Sequence, residues 1–323
     1  MRAIRFQQAG GPEVLELVEV DTPAPGPGQI LIRHQAIGVN FIDTYHRSGL
    51  YPLPLPSGLG SEAAGVVEAV GEGVTRFRPG DLAAYAGGLP NAYADASVVP
   101  ADRAVRVPDG VDVRTVAASL LKGMTAEFLL RRAYPVRAGE TILVHAAAGG
   151  VGQIMVQWAK ALGAEVIATV GSDEKAARAR ELGADHVILY REQDVAAEVR
   201  RITDNKGVPV AYDSVGKATF DGTLGSLARR GLFVSFGNAS GPAPPVEPQR
   251  LARGGSLFFT RPTLVDYVAT TEELDASAAA LFEVIASGKV KIEIGQTFPL
   301  ADARQAHQAL ESRATIGASL LLP

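Results

Sequence analysis

The feature that most limits what this chain can fold into is the run Ala146-Ala147-Ala148-Gly149-Gly150-Val151-Gly152. It stands between a stretch that reads as a buried strand, Thr141 to Ala146 (TILVHA), and one that reads as a helix, Gly150 to Leu162. Small residues at such a junction let the backbone turn tightly and approach a pyrophosphate, and they aim the helix N-terminal amides at its charge. A glycine-rich stretch alone is weak evidence, but here the strand–turn–helix context that the mechanics require is present. The same rhythm continues downstream. Glu165 to Val170, His186 to Leu189, Val208 to Asp213 and Leu232 to Phe236 read as strands. Asp173 to Leu182, Asp194 to Thr203 and a segment around Lys217 to Arg229 read as helices. Strands alternating with helices of this length predict a doubly wound parallel sheet, a Rossmann dinucleotide-binding domain. The proline cluster SGPAPPVEPQ, Ser240 to Gln249, reads as an exposed loop.

The N-terminal part follows another pattern. From Met1 to about Val111, short apolar runs such as Gln29 to Ala36 are broken by turn residues, and Gly58 to Tyr85 alternates small strands with glycine turns. That predicts a β-rich, barrel-like domain. After a helical stretch around Glu272 to Ser287 come strand (Thr297 to Leu300), helix (Asp302 to Ser312) and strand (Ala318 to Leu322). This tail is expected to return to the N-terminal domain. A chain of 323 residues ordinarily divides in about two. The expected division is a β-rich domain over 1–122 and 290–323 and a dinucleotide-binding domain over 123–289.

Composition removes several classes of function. With 31 Lys+Arg against 35 Asp+Glu, the net charge of −4 argues against nucleic acid as the main partner. There is no cysteine, which excludes disulfides, thiolate zinc sites, Fe–S clusters and a cysteine nucleophile. No apolar run reaches the roughly 18 residues needed to cross a bilayer, and MRAIRFQQAGGPE has no signal-peptide character. A soluble, cytoplasmic protein with no membrane role is the expectation.

The second strand says which dinucleotide to expect. An NAD site usually places Asp or Glu at its end, about twenty residues past the glycines, to accept from the ribose 2′-hydroxyl. Here that position reads Gly171-Ser172: glycine leaves room for a 2′-phosphate, Ser172 can donate to it, and Lys175 adds a positive charge one turn on. NADP(H) is therefore the expected cofactor. Asp173-Glu174 is the counter-evidence, unless the pair belongs to the N-terminus of the next helix.

Beyond these local signals, the chain resembles the zinc-free quinone oxidoreductases of the medium-chain dehydrogenase/reductase superfamily, the group that includes ζ-crystallin. The stretches GPEVLELVEV, GVNFIDTYHRSGLYP, LPSGLGSEAAG, LLKGMTAEFLL, HAAAGGVG, QWAKALGA, YDSVG, RRGLFVSFGNASG and ESRATIGASLLLP carry the likeness from end to end. The resemblance implies a GroES-like β-rich catalytic domain joined to a Rossmann domain, an α/β protein. Zinc-dependent relatives carry Cys where this chain has Asn40, and His where it has Ser61 in Gly60-Ser61-Glu62. His34, His46, His145, His186 and His307 show no metal-pair spacing. Each is expected to be exposed or hydrogen-bonded in place, and no metal is expected.

Without a Lewis acid the oxidation of an unactivated alcohol would lack support for its alkoxide, whereas a quinone accepts a hydride readily. The resemblance places Asn40, Tyr45 and Tyr51, in the loop Asn40 to Tyr51, against the acceptor; Asp43 in that loop reads as a brace for its own backbone. It places Thr125, at the start of the LLKGMTAEFLL helix, near the nicotinamide ribose, Tyr190 by the adenine or its phosphate, and Phe236, Gly237 and Asn238 by the nicotinamide half. Arg313 is placed at the cofactor phosphates or, as a plain alternative, at a helix C-terminus. The expected activity is reduction of a quinone, or a related electrophilic acceptor, by NADPH. The alternatives are reduction of activated alkenes and a non-catalytic, crystallin-like binding role. A homodimer is expected, through an edge strand at Ser256 to Thr260 in which Phe258 and Phe259 face opposite sides.

Overall fold

The alternating pattern in the middle of the chain produces one six-stranded, all-parallel sheet. In a computed structural model that describes residues 1–88, 90–312 and 315–323, its strands lie in the order His186–Leu189, Glu165–Val170, Thr141–Val144, Val208–Asp213, Leu227–Ser235, Phe258–Thr260. The direction of travel reverses between Thr141–Val144 and Val208–Asp213, the switch point at which open α/β sheets bind ligands. The inner strands Glu165–Val170, Thr141–Val144 and Val208–Asp213 are nearly continuous buried, mostly apolar runs, as the middle of a sheet covered on both faces demands. A core of Leu143, Ile167, Ile188, Val199, Val208, Phe220 and Phe233 fills one side.

The remaining strands form two sheets. Glu16–Glu19, Arg2–Phe6 and Ser57–Gly58 make a small one. The larger has seven strands in which Gln29–Val39 is the hub: it pairs with Glu62–Val70, Ala96–Pro100 and, antiparallel, with the last strand Ala318–Leu322. The C-terminal strand thus returns to this larger sheet, with Leu321 opposite Ile37.

Two compact units result: Met1–Met124 with Val268–Ala286 and Ile292–Pro323, and Thr125–Tyr267 with Ser287–Lys291. Against the division expected from sequence, the helix Thr271–Ala286 joins the first unit. The reason is its apolar face: Leu274, Ala278, Leu281 and Phe282 are buried, and Leu281 lies where a side chain at Gly123 would have to go. Hydropathy marks that face as buried but does not say against what.

Two local readings also change. The stretch Asn40 to Tyr51 contains a helix, Phe41–Ser48, started by a capping box between Asn40 and Asp43 and ended by Gly49 in the left-handed conformation at φ 80°. Thr125 is not at the start of its helix, which begins at Val113 behind an Asp112 side chain bonded to the Thr115 N–H at 2.9 Å. Thr125 falls in the last turn of Val113–Phe128.

Candidate active site

The glycine turn leaves the carboxyl end of Thr141–Val144 and enters the helix Gly150–Ala161. Gly149 is the N-cap and makes no side-chain cap, and the first turn carries no acidic residue, so amides and dipole face outward unneutralised. Gly152 is needed for contact: a Cβ there would lie 2.3 Å from the Ala146 carbonyl oxygen and 2.8 Å from Ala147 Cα, both backbone atoms. Ala146 has φ 51°, a conformation that costs a non-glycine residue energy and that sequence reading did not anticipate.

The other residues expected at the cofactor follow the carboxyl ends of neighbouring parallel strands, so the sheet brings them to one edge. Gly171 and Ser172 follow Glu165–Val170, Tyr190 follows His186–Leu189, and Phe236, Gly237 and Asn238 follow Leu227–Ser235. Gly171 and Tyr190 meet directly, since a Cβ on Gly171 would sit 2.9 Å from the Tyr190 hydroxyl. Ser172 is the N-cap of Asp173–Glu181, its Oγ accepting from the Lys175 N–H at 3.4 Å, while Asp173 and Glu174 occupy the exposed first turn. This answers the objection raised by the two acids: they complement a helix N-terminus. Arg313 lies outside the described residues.

Beneath this edge runs a buried brace that sequence did not reveal. The Asp213 carboxylate accepts from the amides of Val215 and Gly216 and from the hydroxyls of Thr219 and Thr223. His145 bridges Thr223 and Thr169 at 2.9 and 2.8 Å, and burial lowers its affinity for a proton.

In the first unit, Tyr45 is buried and Tyr51 packs its ring edge-on at 5.3 Å; His46 lies 6.1 Å from Tyr51. His46 departs from the expectation for histidines, because its Nδ1 is buried with no hydrogen-bond partner. Asn40 begins the helix that carries Tyr45, Tyr51 follows just beyond its C-cap, and the Asn40 side-chain amide donates to Glu62 Oε2 at 2.9 Å. Glu62, fully buried, also receives the Leu121 N–H at 2.6 Å and the Lys122 ammonium at 3.1 Å.

Asp43 does more than brace its own backbone. Besides the Asn40 N–H at 2.9 Å it accepts from Ser61 Oγ at 2.9 Å and from the Tyr93 hydroxyl at 3.0 Å. Behind Tyr93 stands His307, and behind His307 the buried Arg47, paired with Glu311 at 2.6 Å. Arg47 can only donate, so His307 Nδ1 accepts, its Nε2–H points to Tyr93, and the tyrosine hydrogen points to Asp43. Burial pushes the Asp43 carboxyl up to about 6 against the pull of its donors and of the Lys122 charge. Burial, reinforced by Arg47, takes His307 down to about 3. Asn40 and Ser61, which the resemblance sets at the zinc-ligand positions of zinc-dependent relatives, are each bonded to a carboxylate. Among the described residues no group of three or more His, Cys, Asp or Glu is arranged to hold a metal ion. None of the helices searched there is long and apolar enough to cross a membrane.

Comparisons with known proteins agree with this architecture. Residues 26–109 match the alcohol dehydrogenase GroES-like domain, and residues 150–283 match the zinc-binding dehydrogenase family. Together with the sheet order, these matches define a medium-chain dehydrogenase/reductase. The chain is 53% identical over 323 residues to a quinone oxidoreductase of Pseudomonas aeruginosa, covering 100% of this chain and 99% of that one. It is 45% identical to a 2-haloacrylate reductase of a Burkholderia species, over 98% of each. The crystal structure of Escherichia coli quinone oxidoreductase complexed with NADPH superposes with a TM-score of 0.98 at 49% identity, covering 100% of both chains. Within that superfamily, the chain belongs to the quinone oxidoreductase family.

Proposed function

We propose that this protein is an NADPH-dependent quinone reductase that works without a metal. The observation that carries the reading is the uncapped, acid-free helix N-terminus behind the Gly149–Gly152 turn, with Ser172 and Lys175 at the neighbouring strand end where an NAD site would carry an acid. Likeness to an NADPH-bound quinone oxidoreductase supports it. The residues fit the cofactor: the turn amides and helix dipole suit the pyrophosphate, and Ser172 with Lys175 suits the 2′-phosphate. Thr125, Tyr190 and the Phe236–Asn238 loop serve the ribose, adenine and nicotinamide portions, and Arg313 the phosphates. When bound, the reduced nicotinamide supplies a hydride.

The protein's own part is to bind, orient and exclude water. Asn40 begins the helix that places Tyr45, against which Tyr51 packs, and the two phenols suit stacking on a planar acceptor and hydrogen-bonding its oxygens. Steady-state oxidation of NADPH by simple quinones tests the proposal; cofactor binding without turnover on any quinone overturns it. Because one relative is named for reducing 2-haloacrylate, an acceptor panel should include activated alkenes, and a preference for them would shift the substrate class while keeping the cofactor.

We further propose a homodimer in the cytoplasm, where NADPH is available. Phe258, on the edge strand Phe258–Thr260, is 61% exposed, whereas Phe259 packs 5.1 Å from Phe233. An apolar side chain on an open strand edge suits pairing across a two-fold axis. Sedimentation showing a monomer at micromolar concentration overturns it.

A further inference from the structure

The loop expected to face the acceptor holds an amide that has no hydrogen left to give. Asn40 Nδ2 donates to Glu62 Oε2 at 2.9 Å and to the Gly38 carbonyl at 3.4 Å. A carboxylate and a carbonyl only accept, so the amide cannot be turned round, and both its N–H groups are consumed. Toward a substrate oxygen, Asn40 offers no donor.

Beside it lies a donor with hydrogens to spare. The side chain of Lys122 is 8% exposed, and among the described residues Glu62 is its one hydrogen-bond partner, at 3.1 Å. An ammonium has three donors, and two remain. Glu62 is committed elsewhere as well, through Leu121 and Asn40, so it is a shared and weakened counterion for Lys122. The charge of Lys122 is felt as far as Asp43, the next buried carboxyl. A positive charge on a residue nine-tenths buried, two of its hydrogens unspent, is costly unless something uses it.

We propose that Lys122 is the oxyanion donor of this site: its ammonium hydrogen-bonds the substrate oxygen that becomes negatively charged on reduction. This rests on the quinone reductase reading. In the overall step a hydride, with its electron pair, leaves NADPH and bonds to the quinone, NADP⁺ remains, and one quinone oxygen becomes a phenolate. Water supplies the proton that completes the hydroquinone. Lys122 transfers nothing; it lowers the energy of the phenolate before that proton arrives, as an oxyanion hole does. Lys122, held by Glu62, thus supplies by a fixed organic charge what a bound cation supplies elsewhere.

The test compares Lys122→Met, Lys122→Arg and the double variant Lys122→Met with Glu62→Gln, which leaves no unpaired buried charge and so guards against a folding defect. Two readouts are taken: steady-state kinetics with a simple quinone, and the titration of bound 4-nitrophenol, followed by the colour of its phenolate with the oxidised cofactor present. The expected results are a fall in kcat of about a hundredfold or more for both Met forms, an NADPH dissociation constant within about twofold of wild type, and partial retention by Arg. The bound phenol should titrate about one unit or more lower in wild type than in the Met variants, a tenfold preference for the anion. Recovery of kcat in the double variant would show that Lys122 merely neutralises Glu62, and would overturn the proposal. So would an unchanged phenol titration. A wild type inert toward quinones whose bound phenol titrates low only with Lys122 present would refute the quinone reading while keeping the anion site.

Discussion

The two units build their sites in opposite ways. In the second, the proposed cofactor cradle is made of backbone: amides of one helix N-terminus, a glycine that admits a carbonyl at close range, and strand ends brought level by parallel pairing. In the first, the segment proposed to face the acceptor is held by side chains that meet only after folding: Asp43 with Tyr93 at a separation of 50 residues, Tyr93 with His307 at 214, Arg47 with His307 at 260. A site made of backbone is disturbed by adding atoms to it. One made of a buried hydrogen-bond chain is disturbed by removing them.

The largest effect should come from Gly152→Val. Its Cβ has no room against the Ala146 carbonyl, which belongs to the turn itself and cannot move aside. Affinity for both NADPH and NADH should fall more than about a hundredfold, tenfold being about 1.4 kcal/mol; calorimetry that found normal binding would show the turn does not cradle phosphate. Lys175→Ala is narrower. It should weaken NADPH by about 1.5–3 kcal/mol, the range for a charge-assisted contact, and leave NADH nearly unmoved. Equal loss with both cofactors would locate the specificity elsewhere.

Tyr93→Phe probes the other kind of site. It removes one donor to Asp43 and strands the His307 Nε2–H, at about 1–3 kcal/mol for buried groups left unpaired. The melting midpoint should drop by several degrees at unchanged NADPH affinity. Cofactor binding that suffered as much as in Gly152→Val would break the contrast between the two units.

The smallest expected effect is in the pH dependence of stability. Asp43 is raised from 3.8 to about 6, so the folded state holds the extra proton and its contribution is lost as pH rises through that window. His307 is lowered from 6.5 to about 3, so here the unfolded state holds the extra proton, and stability is gained as pH rises. The two oppose each other between about 4 and 6. Asp43→Asn removes one and leaves the other, so stability should climb more steeply with pH over that range than in wild type, as followed by urea midpoints. A shallower climb would mean that Asp43 is held as a carboxylate, not raised.

The placement of the glycine turn, Ser172, Tyr190 and the Phe236–Asn238 loop after strand carboxyl ends was legible because a parallel sheet sends consecutive strand ends to one edge, whereas their part in binding stays a proposal. Asn40, Tyr45 and Tyr51 were singled out only through resemblance, and their setting was not legible. Glu62 was noticed as the neighbour of a missing ligand, and nothing in its sequence context announced Lys122. Tyr93, His307 and Arg47 carry no local signature at all. A lysine or arginine in a sequence looks solvated until the fold buries it, although the apolar and small neighbours of Lys122, Leu120, Leu121, Gly123 and Met124, were a weak hint.

Sequence alone determined the strand–helix alternation, the glycine turn between strand and helix and the absence of cysteine, because these depend on residues close together along the chain or on residue type alone. Only the tertiary structure decided which helix joins which unit, that Asn40 has no N–H left to donate, and that the Lys122 ammonium lies buried beside it. Those outcomes depend on contacts closed across scores to hundreds of residues, where burial and hydrogen-bond geometry, rather than local propensity, set what each group can do.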